Sequence, residues 1–166
     1  MIRNAVKKDV EAILEMFNDN IVTSTAIYMY EKQTLDEKMA WFDAKMAAGE
    51  PLFVYEEEGQ VVGYATYGPF RAYPAYLYTI EHSVYVHKDH HQKGIATKLM
   101  HALIEQANES GMKTMVACID AENKGSIIAH EKLGFTYSGT IRNAGYKFER
   151  WLDLAFYQLD LVGPKL

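Results

Sequence analysis

The sequence predicts a mixed α/β fold of the α+β type, in which helices pack on one mostly antiparallel sheet. Three observations lead to this fold class. Two segments with helical periodicity come first, two strand-like segments separated by a short polar turn follow, and strand-like and helical segments alternate over the rest. The 166 residues match the length of one domain, so the sequence predicts a single domain over residues 1–166.

Two amphipathic helices are predicted in the N-terminal third of the chain. The first follows Asp9, where apolar residues recur at spacings of three and four, namely Val10, Ile13, Leu14, Phe17 and Ile21. The second begins at Thr34, because Thr34 and Glu37 form a capping-box pattern, and it ends before Gly49 and Pro51. Its predicted buried stripe consists of Leu35, Met39, Phe42 and Met46.

The centre of the chain predicts a hairpin, a long strand and the clearest helix. Residues 52–55 and 61–67 are rich in aromatic and β-branched side chains and are separated by a polar turn, which favours a hairpin. A long strand is predicted from Tyr76 to Val86. A polar turn then leads to Gly94, after which a helix continues to Gly111 with two apolar rows, Ile95, Leu99, Leu103 and Ala96, Met100, Ile104.

Four shorter elements are predicted in the C-terminal part. Residues 114–119 form a short apolar strand, and residues 126–133 form a short helix that ends at Gly134. Residues 135–141 and 151–161 alternate well enough for two more strands. Cys118 lies in the first of these strands, and we expect it to be a core residue.

Composition and charge exclude several classes of protein. The formal net charge of −5 disfavours binding to nucleic acid or to an anionic membrane surface. No run of about 18 apolar residues predicts a membrane span, and the N-terminus lacks the apolar stretch of a signal peptide. Cys118 is the only cysteine, so no intramolecular disulfide can form. These features favour a cytoplasmic protein.

A strand, a tight polar turn and a helix N-terminus follow one another between Val84 and Thr97. The first turn of a helix has backbone N–H groups without internal partners, and its macrodipole is positive there. Gly94 and Ala96 would let a phosphate approach these donors, while Lys93 adds a charge and Thr97 a hydroxyl. A pyrophosphate could bind here without a metal. The alternative is that these small residues serve packing alone.

The segment from Val84 to Thr97 resembles the acyl-coenzyme A signature of the GNAT superfamily of N-acetyltransferases. Residues 123–126 and 129–135 are similar to a second segment of that superfamily, and residues 79–86 resemble a strand of its phosphinothricin and methionine sulfoximine acetyltransferase branch, which includes L-amino-acid N-acyltransferases. The resemblance covers nearly the whole chain. It implies the GNAT fold, with a mixed sheet that splays apart where acyl-coenzyme A binds. His91 departs from the pattern, because Gln or Arg usually stands there.

The resemblance implies acetyl-coenzyme A (acetyl-CoA) as co-substrate and no metal. Backbone groups of the strand would bind the pantetheine arm as an added strand does, and one N–H would polarise the thioester carbonyl. Asn123 would cap the short helix, contact the pantetheine arm, or do both. The predicted coenzyme-binding residues are Val84, Tyr85, Val86, His91, Gln92, Lys93, Gly94, Ile95, Ala96, Thr97, Asn123 and Ser126.

Two residues are predicted to act in catalysis. An amine must lose its proton before it attacks a thioester, and Glu81 is the candidate general base. The alternative is a solvated or paired strand carboxylate. His130 stands where many members of the superfamily have a tyrosine that protonates the leaving thiolate. His130 could do the same, or it could be a packed helix residue that binds a backbone carbonyl.

The acceptor is predicted to be the amine of a small, amino-acid-like molecule. Arg71 suits a carboxylate or phosphinate by bidentate pairing, and the other predicted acceptor-binding residues are Tyr28, Tyr73, Glu81, His82 and Ser83. A polyamine, a protein N-terminus, and a non-catalytic coenzyme A sensor are the alternatives. The branch also implies a homodimer, for which the C-terminal aromatic strand is a candidate interface.

A metal site is the alternative reading of the histidine cluster. The sequence disfavours it, because His82 and His87 point to opposite faces of a regular strand and no cysteine accompanies them. The cluster comprises His82, His87, His90 and His91.

Overall fold

The structure is a computed structural model that describes residues 1–165. Seven strands form one sheet in the order β1-β2-β3-β4-β5-β7-β6, which confirms the mixed fold with a mostly antiparallel sheet. The strands are β1 (Ile2–Asn4), β2 (Leu52–Glu57), β3 (Gln60–Pro69), β4 (Thr79–Val86), β5 (Thr114–Asp120), β6 (Thr136–Lys147) and β7 (Arg150–Asp160). The helices are α1 (Val10–Thr23), α2 (Leu35–Ala48), α3 (Ile95–Glu109) and α4 (Lys124–Lys132).

Helices cover both faces of the sheet and create two cores. Tyr64 and Ala65 are neighbours on β3, so their side chains point to opposite faces. Tyr64 packs with residues of α1 and α2, whereas Ala65 packs with Leu99 and Leu103 of α3. The apolar residues that recur along α1 and α3 are therefore explained by packing, because each helix buries one face against the sheet.

Helix α2 begins as predicted but buries a different stripe. The capping box forms, since the Thr34 hydroxyl accepts from the Glu37 N–H. The predicted stripe is wrong at its two ends, because Leu35 and Met46 are exposed, while Lys38 and Lys45 are buried. The Lys38 ammonium lies 3.4 Å from the Phe17 ring centroid and 4.4 Å from that of Trp41, which favours burial by cation–π contact.

Two tight hairpins join β2 to β3 and β6 to β7. Their central residues have positive φ, namely 52° and 79° at Glu58 and Gly59, and 53° and 59° at Phe148 and Glu149. Such turns match the right-handed twist of the flanking strands. The second hairpin is longer than predicted, because β6 continues to Lys147 and β7 begins at Arg150.

The predicted strand from Tyr76 begins later, and one strand was not predicted. Pro74–Tyr76 forms a single 3₁₀ turn, because Pro74 at its first position has a fixed φ and no N–H to offer a sheet. Strand β4 therefore starts at Thr79. Strand β1 pairs with the edge of β2. It was not predicted because its three residues are too few to show a periodic pattern. Within residues 1–165, no helix is both long and apolar enough to cross a membrane.

The only parallel pair within residues 1–165 lies in the middle of the sheet, between β4 and β5. It pairs Thr79–Glu81 with Thr114–Val116 and then stops. Beyond this point β4 continues along β3, while β5 continues along β7. The two strands thus diverge at the centre of the sheet, which is the splay expected from the resemblance, and Glu81 lies at its apex.

Candidate active site

Two clefts meet where β4 and β5 diverge. The first, of about 370 Å³, contains Glu81, His82 and Cys118 and is called the acceptor cleft after its predicted role. The second, of about 560 Å³, runs along β4 to the start of α3 and is called the coenzyme cleft after its predicted role. Both clefts are lined by Ala26, Val84, Tyr85, Asn123, Ser126 and His130, so they form one groove. The groove crosses the sheet at the only place in the described chain where two neighbouring strands separate.

The coenzyme cleft ends at the N-terminus of α3. Gly94 is the N-cap residue and has φ of 76°, a left-handed conformation in which glycine is favoured. It offers no side-chain cap, so the first N–H groups of the 15-residue helix are available to an anion. A ring nitrogen of His91 donates to the Val86 carbonyl over 2.9 Å, which fixes the turn against the strand. Gln92, Ile95, Ala96 and Thr97 also line the cleft.

Lys93 is the one predicted residue of this turn that lies away from the cleft. Its ammonium lies 3.6 Å from the Glu57 carboxylate and 3.1 Å from a ring nitrogen of His90. The donors that face the cleft at this end of the groove are therefore backbone N–H groups rather than the Lys93 ammonium.

Residues 82–86 of β4 line the middle of the groove. They pair with β3 on one side and have no strand partner on the β5 side. Their backbone N–H and C=O groups on that side can bind an extended, amide-containing chain. Opposite them, the Asn123 side chain accepts from the Ser126 N–H over 3.2 Å, which confirms that Asn123 caps α4.

Glu81 and Cys118 form a direct contact at the apex of the splay. The Cys118 thiol donates to Glu81 Oε1 over 2.7 Å. Burial and the neighbouring carboxylate raise the pKa of Cys118 to about 12, so the thiol stays protonated and can keep donating. The expected core position of Cys118 is wrong. Because β4 turns away from β5 here, the side chain of Cys118 lines the acceptor cleft instead.

His82 and His130 form a buried pair with defined proton positions. Burial lowers the pKa of His82 to about 3, and it also lowers the pKa of His130, so both rings are neutral at pH 7. His130 Nδ1 lies 2.7 Å from the Ser126 carbonyl, which only accepts, so Nδ1 carries the proton. His130 Nε2 then accepts from Nε2 of His82 over 2.9 Å. The remaining Nδ1 of His82 is buried and has no partner among residues 1–165.

The predicted acceptor residues are brought together with one exception. Tyr28, Arg71, Glu81, His82 and Ser83 line the acceptor cleft. Tyr73 does not line either cleft, and its side chain is 75% exposed.

Several cleft residues were not predicted. Thr25 donates from its hydroxyl to Asp120, which ends β5 at the wall of the cleft. Leu154 and Phe156 of β7 form the rest of that wall. The side chains of β5 face the cleft because β5 diverges from β4. Predicting this would have required the order of the strands in the sheet, which the sequence pattern does not give. Among residues 1–165, no group of three or more His, Cys, Asp or Glu residues could hold a metal ion.

Comparisons with known proteins define the family. The acetyltransferase (GNAT) domain family matches residues 2–156. The L-methionine sulfoximine/L-methionine sulfone acetyltransferase of Salmonella typhimurium is 43% identical over 96% of this chain and 94% of its own length. An N-acetyltransferase structure from Staphylococcus aureus is 54% identical, covers 96% of this chain and 97% of its own, and has a TM-score of 0.96.

A structure with bound acetyl-CoA shows the same fold. The phosphinothricin acetyltransferase of Sinorhizobium meliloti in complex with acetyl-CoA is 32% identical, covers 97% of this chain and 88% of its own, and has a TM-score of 0.93. The chain therefore belongs to the GNAT acetyltransferase family. It is an acetyl-CoA-dependent N-acetyltransferase.

Proposed function

We propose that this enzyme transfers the acetyl group of acetyl-CoA to the α-amine of a small amino-acid-like acceptor, with Glu81 as general base. The carrying observation is the position of Glu81, whose carboxylate lies in the acceptor cleft at the apex of the splay. Relatives named for methionine sulfoximine, methionine sulfone and phosphinothricin support the acceptor class, since all three are amino acids with an oxygen-bearing side chain.

Acetyl-CoA is proposed to lie along the whole groove. Its pyrophosphate binds the free N–H groups at the start of α3, beside Gly94. Its pantetheine arm follows residues 84–86 of β4, facing Asn123 and Ser126 of α4. This places the thioester at the splay, where a backbone N–H of β4 can donate to the carbonyl oxygen as charge develops on it.

Glu81 then takes a proton from the acceptor ammonium, and the free amine attacks the thioester carbon. The C–N bond forms, the C–S bond breaks, and the nitrogen loses its second proton as the amide forms. That proton balances the one that the coenzyme A thiolate takes up, while Glu81 returns the first proton to solvent. The Cys118 thiol holds the Glu81 carboxylate in place over 2.7 Å. Arg71, at the rim of the acceptor cleft, is proposed to pair with the acceptor carboxylate.

His130 is proposed to protonate the leaving thiolate. It lines both clefts, so it lies where the reacting ends of the two substrates meet. Its ring proton, on Nδ1, is donated to the Ser126 carbonyl over 2.7 Å, so this hydrogen bond must break before the proton reaches the thiolate. The resting geometry is that of the alternative, a packed helix residue that binds a backbone carbonyl. His82 is proposed to fix this tautomer by donating to the other ring nitrogen of His130.

The substitution Glu81→Gln tests the mechanism. It keeps the shape of the side chain but removes the base, so we expect kcat to fall about 10²- to 10⁴-fold. Coenzyme A affinity, measured by calorimetry, should stay unchanged. Glu105→Gln, on the exposed face of α3, is the matched control. Turnover is followed as thiol release with amino acids, polyamines and peptides as acceptors. Unchanged turnover in Glu81→Gln would remove Glu81 from the mechanism.

A homodimer is also proposed. The β6–β7 hairpin exposes Tyr146, Phe148 and Trp151, and the rings of Tyr146 and Trp151 pack with centroids 4.9 Å apart. Such an aromatic surface favours burial against a second copy of the chain. Light scattering of the wild type and of Trp151→Lys tests this, since a monomer in both cases would contradict it.

A further inference from the structure

The acceptor cleft contains a second carboxylate, which the mechanism proposed above does not use. Asp120, the last residue of β5, lines the cleft, and its side chain is only 5% exposed. Cys118 lies two residues earlier on the same face of β5 and contacts Glu81, so Asp120 lies about 7 Å further along the strand from this contact. An acceptor with its amine at Glu81 can therefore place its side chain near Asp120.

The neighbours of Asp120 hold its carboxylate in place but leave lone pairs free. Its two oxygens accept from the Thr25 hydroxyl and from the Glu122 N–H, the latter over 3.0 Å. Each carboxylate oxygen can accept two hydrogen bonds, so both can accept one more. The Arg150 guanidinium lies 3.7 Å away, beyond hydrogen-bond distance, and donates to the Glu122 carboxylate over 2.9 Å instead. Among residues 1–165, no cation is hydrogen-bonded to Asp120.

The charged groups around the acceptor cleft carry one excess negative charge. Among residues 1–165, the carboxylates of Glu81 and Asp120 line the cleft together with one cation, the guanidinium of Arg71. The two histidines in the lining are neutral because burial lowers their pKa values. Arg150 and Glu122 lie outside the lining and neutralise each other. An acceptor that presents its ammonium to Glu81 and its carboxylate to Arg71 therefore leaves Asp120 uncompensated.

The charge of Asp120 acts inside the cleft. Tyr28 also lines the cleft, and its pKa is raised by burial and, second, by the charge of Asp120. Repulsion between like charges about 7 Å apart persists in a partly enclosed cleft, where water screens it less than in bulk solution. An anionic side chain on the acceptor is therefore repelled, whereas a neutral or cationic side chain is not.

We propose that Asp120 makes the enzyme selective for the charge of the acceptor side chain, so that neutral or cationic side chains are accepted and anionic ones are disfavoured. The inference rests on the proposed function, since it requires the acceptor amine at Glu81 and the acceptor carboxylate at Arg71. The names of the relatives leave this charge open, because methionine sulfone has a neutral side chain and phosphinothricin an anionic one.

The test compares methionine sulfone with homocysteic acid, in which an anionic oxygen replaces the methyl group of the sulfone. The two acceptors have nearly the same shape and differ by one negative charge. The ratio of their kcat/KM values is measured for the wild type and for Asp120→Asn, which keeps the size of the side chain and removes its charge. We expect the wild type to prefer the sulfone and the substitution to reduce that preference about tenfold. Because both acceptors are assayed on the same preparation, the ratio does not depend on the fraction of folded enzyme.

Two further variants separate the charge of Asp120 from its structural contacts. Asp120→Glu keeps the charge and should keep the preference for the sulfone. Glu122→Gln removes a neighbouring carboxylate that is 75% exposed and lines neither cleft, so its ratio should equal that of the wild type.

Three results would overturn the proposal. They are a wild type that acetylates homocysteic acid as well as the sulfone, an unchanged ratio in Asp120→Asn, and an equal loss of the preference in Asp120→Glu. If the wild type acetylates neither these acceptors nor other amino acids, the proposed function itself fails, which is a distinguishable result.

Discussion

Tyr28 forms one wall of the acceptor cleft because of residues far from it in sequence. Its ring packs directly on the backbone of Gly145, near the C-terminal end of β6. The loop that carries Tyr28 is also tied down by Lys147, whose ammonium donates to the Ser24 and Ile27 carbonyls over 2.8 and 2.6 Å. Gly145 and Lys147 of the β6–β7 hairpin thereby position Tyr28 in the acceptor cleft, although neither residue lines the cleft.

The substitution Gly145→Ala should displace Tyr28. A Cβ at Gly145 would lie 2.7 Å from one ring carbon of Tyr28 and 2.9 Å from another, distances that real contacts do not reach. We expect the KM for the acceptor to rise about three- to tenfold through loss of the pocket wall, while the KM for acetyl-CoA stays unchanged. The control is the same substitution in a Tyr28→Leu background. If the clash acts through Tyr28, Gly145→Ala should have little further effect there.

At this scale the sequence predicted which residues lie together better than what they contact. Glu81, His82 and His130 were all predicted to be in the site, and all three line the acceptor cleft. The direct bond between the two histidines joins residues 48 positions apart, and no spacing in the sequence encodes it. Cys118 was assigned to the core, because strand alternation assumes a neighbour on each side and the splay removes one.

At the scale of single elements, the start of α3 has a distinctive geometry. Gly94 has positive φ and no atom within 4 Å of where a Cβ would lie, so the space before the helix is open. Alanine in this conformation costs about 1 kcal/mol. If the backbone relaxes to avoid this cost, the free N–H groups of the first turn change direction.

We expect Gly94→Ala to weaken coenzyme A binding about tenfold, because phosphate binding depends on these backbone donors. Gly59→Ala is the matched control, since Gly59 also has positive φ and open space but lies at the tip of the β2–β3 hairpin. Both variants should lose similar stability in thermal unfolding, and only Gly94→Ala should lose affinity in calorimetry. Equal affinities in the two variants would argue against the phosphate site.

The elements themselves were predictable where the pattern was local. The capping box of α2, the periodicity of α3 and the turn between β2 and β3 depend on residues close in sequence. The buried stripe of α2 was not predictable in the same way. Lys38 is buried because Phe17 of another helix presents its ring to the ammonium, whereas Leu35, in the first turn of α2, is 38% exposed.

At the scale of the whole molecule, the sheet supports both hydrophobic cores and also lines the candidate active site. Its two faces bury separate cores, and its central strands β3 and β4 stay paired while β4 and β5 diverge after Glu81 and Val116. The gap lets a groove pass from the start of α3 to the cleft beneath Arg71 and Tyr28. The family resemblance implied this gap, and the strand pairing confirms it. The contribution of β5 and β7 to its wall followed only from the spatial order of the strands.

The buried histidine pair also affects the stability of the whole fold. Burial lowers the pKa of His82 from its ordinary 6.5 to about 3, with the nearby His130 adding to the shift. Below pH 6.5 the unfolded chain therefore binds a proton that the folded protein does not, so stability falls as the pH falls from about 6.5 toward 3. Between pH 7 and pH 5, His82 alone should reduce the free energy of unfolding by about 2 kcal/mol, and the lowered pKa of His130 acts in the same direction.

Urea denaturation between pH 5 and pH 7 measures this loss. His82→Phe removes the titrating group while keeping an aromatic ring beside Phe135, so its stability should depend less steeply on pH, even if it is lower at pH 7. His101→Gln is the control, since His101 is an exposed residue of α3 and its removal should leave the slope unchanged. A wild type equally stable at pH 5 and pH 7, or the same slope in His82→Phe, would show that the pair is not held neutral by burial.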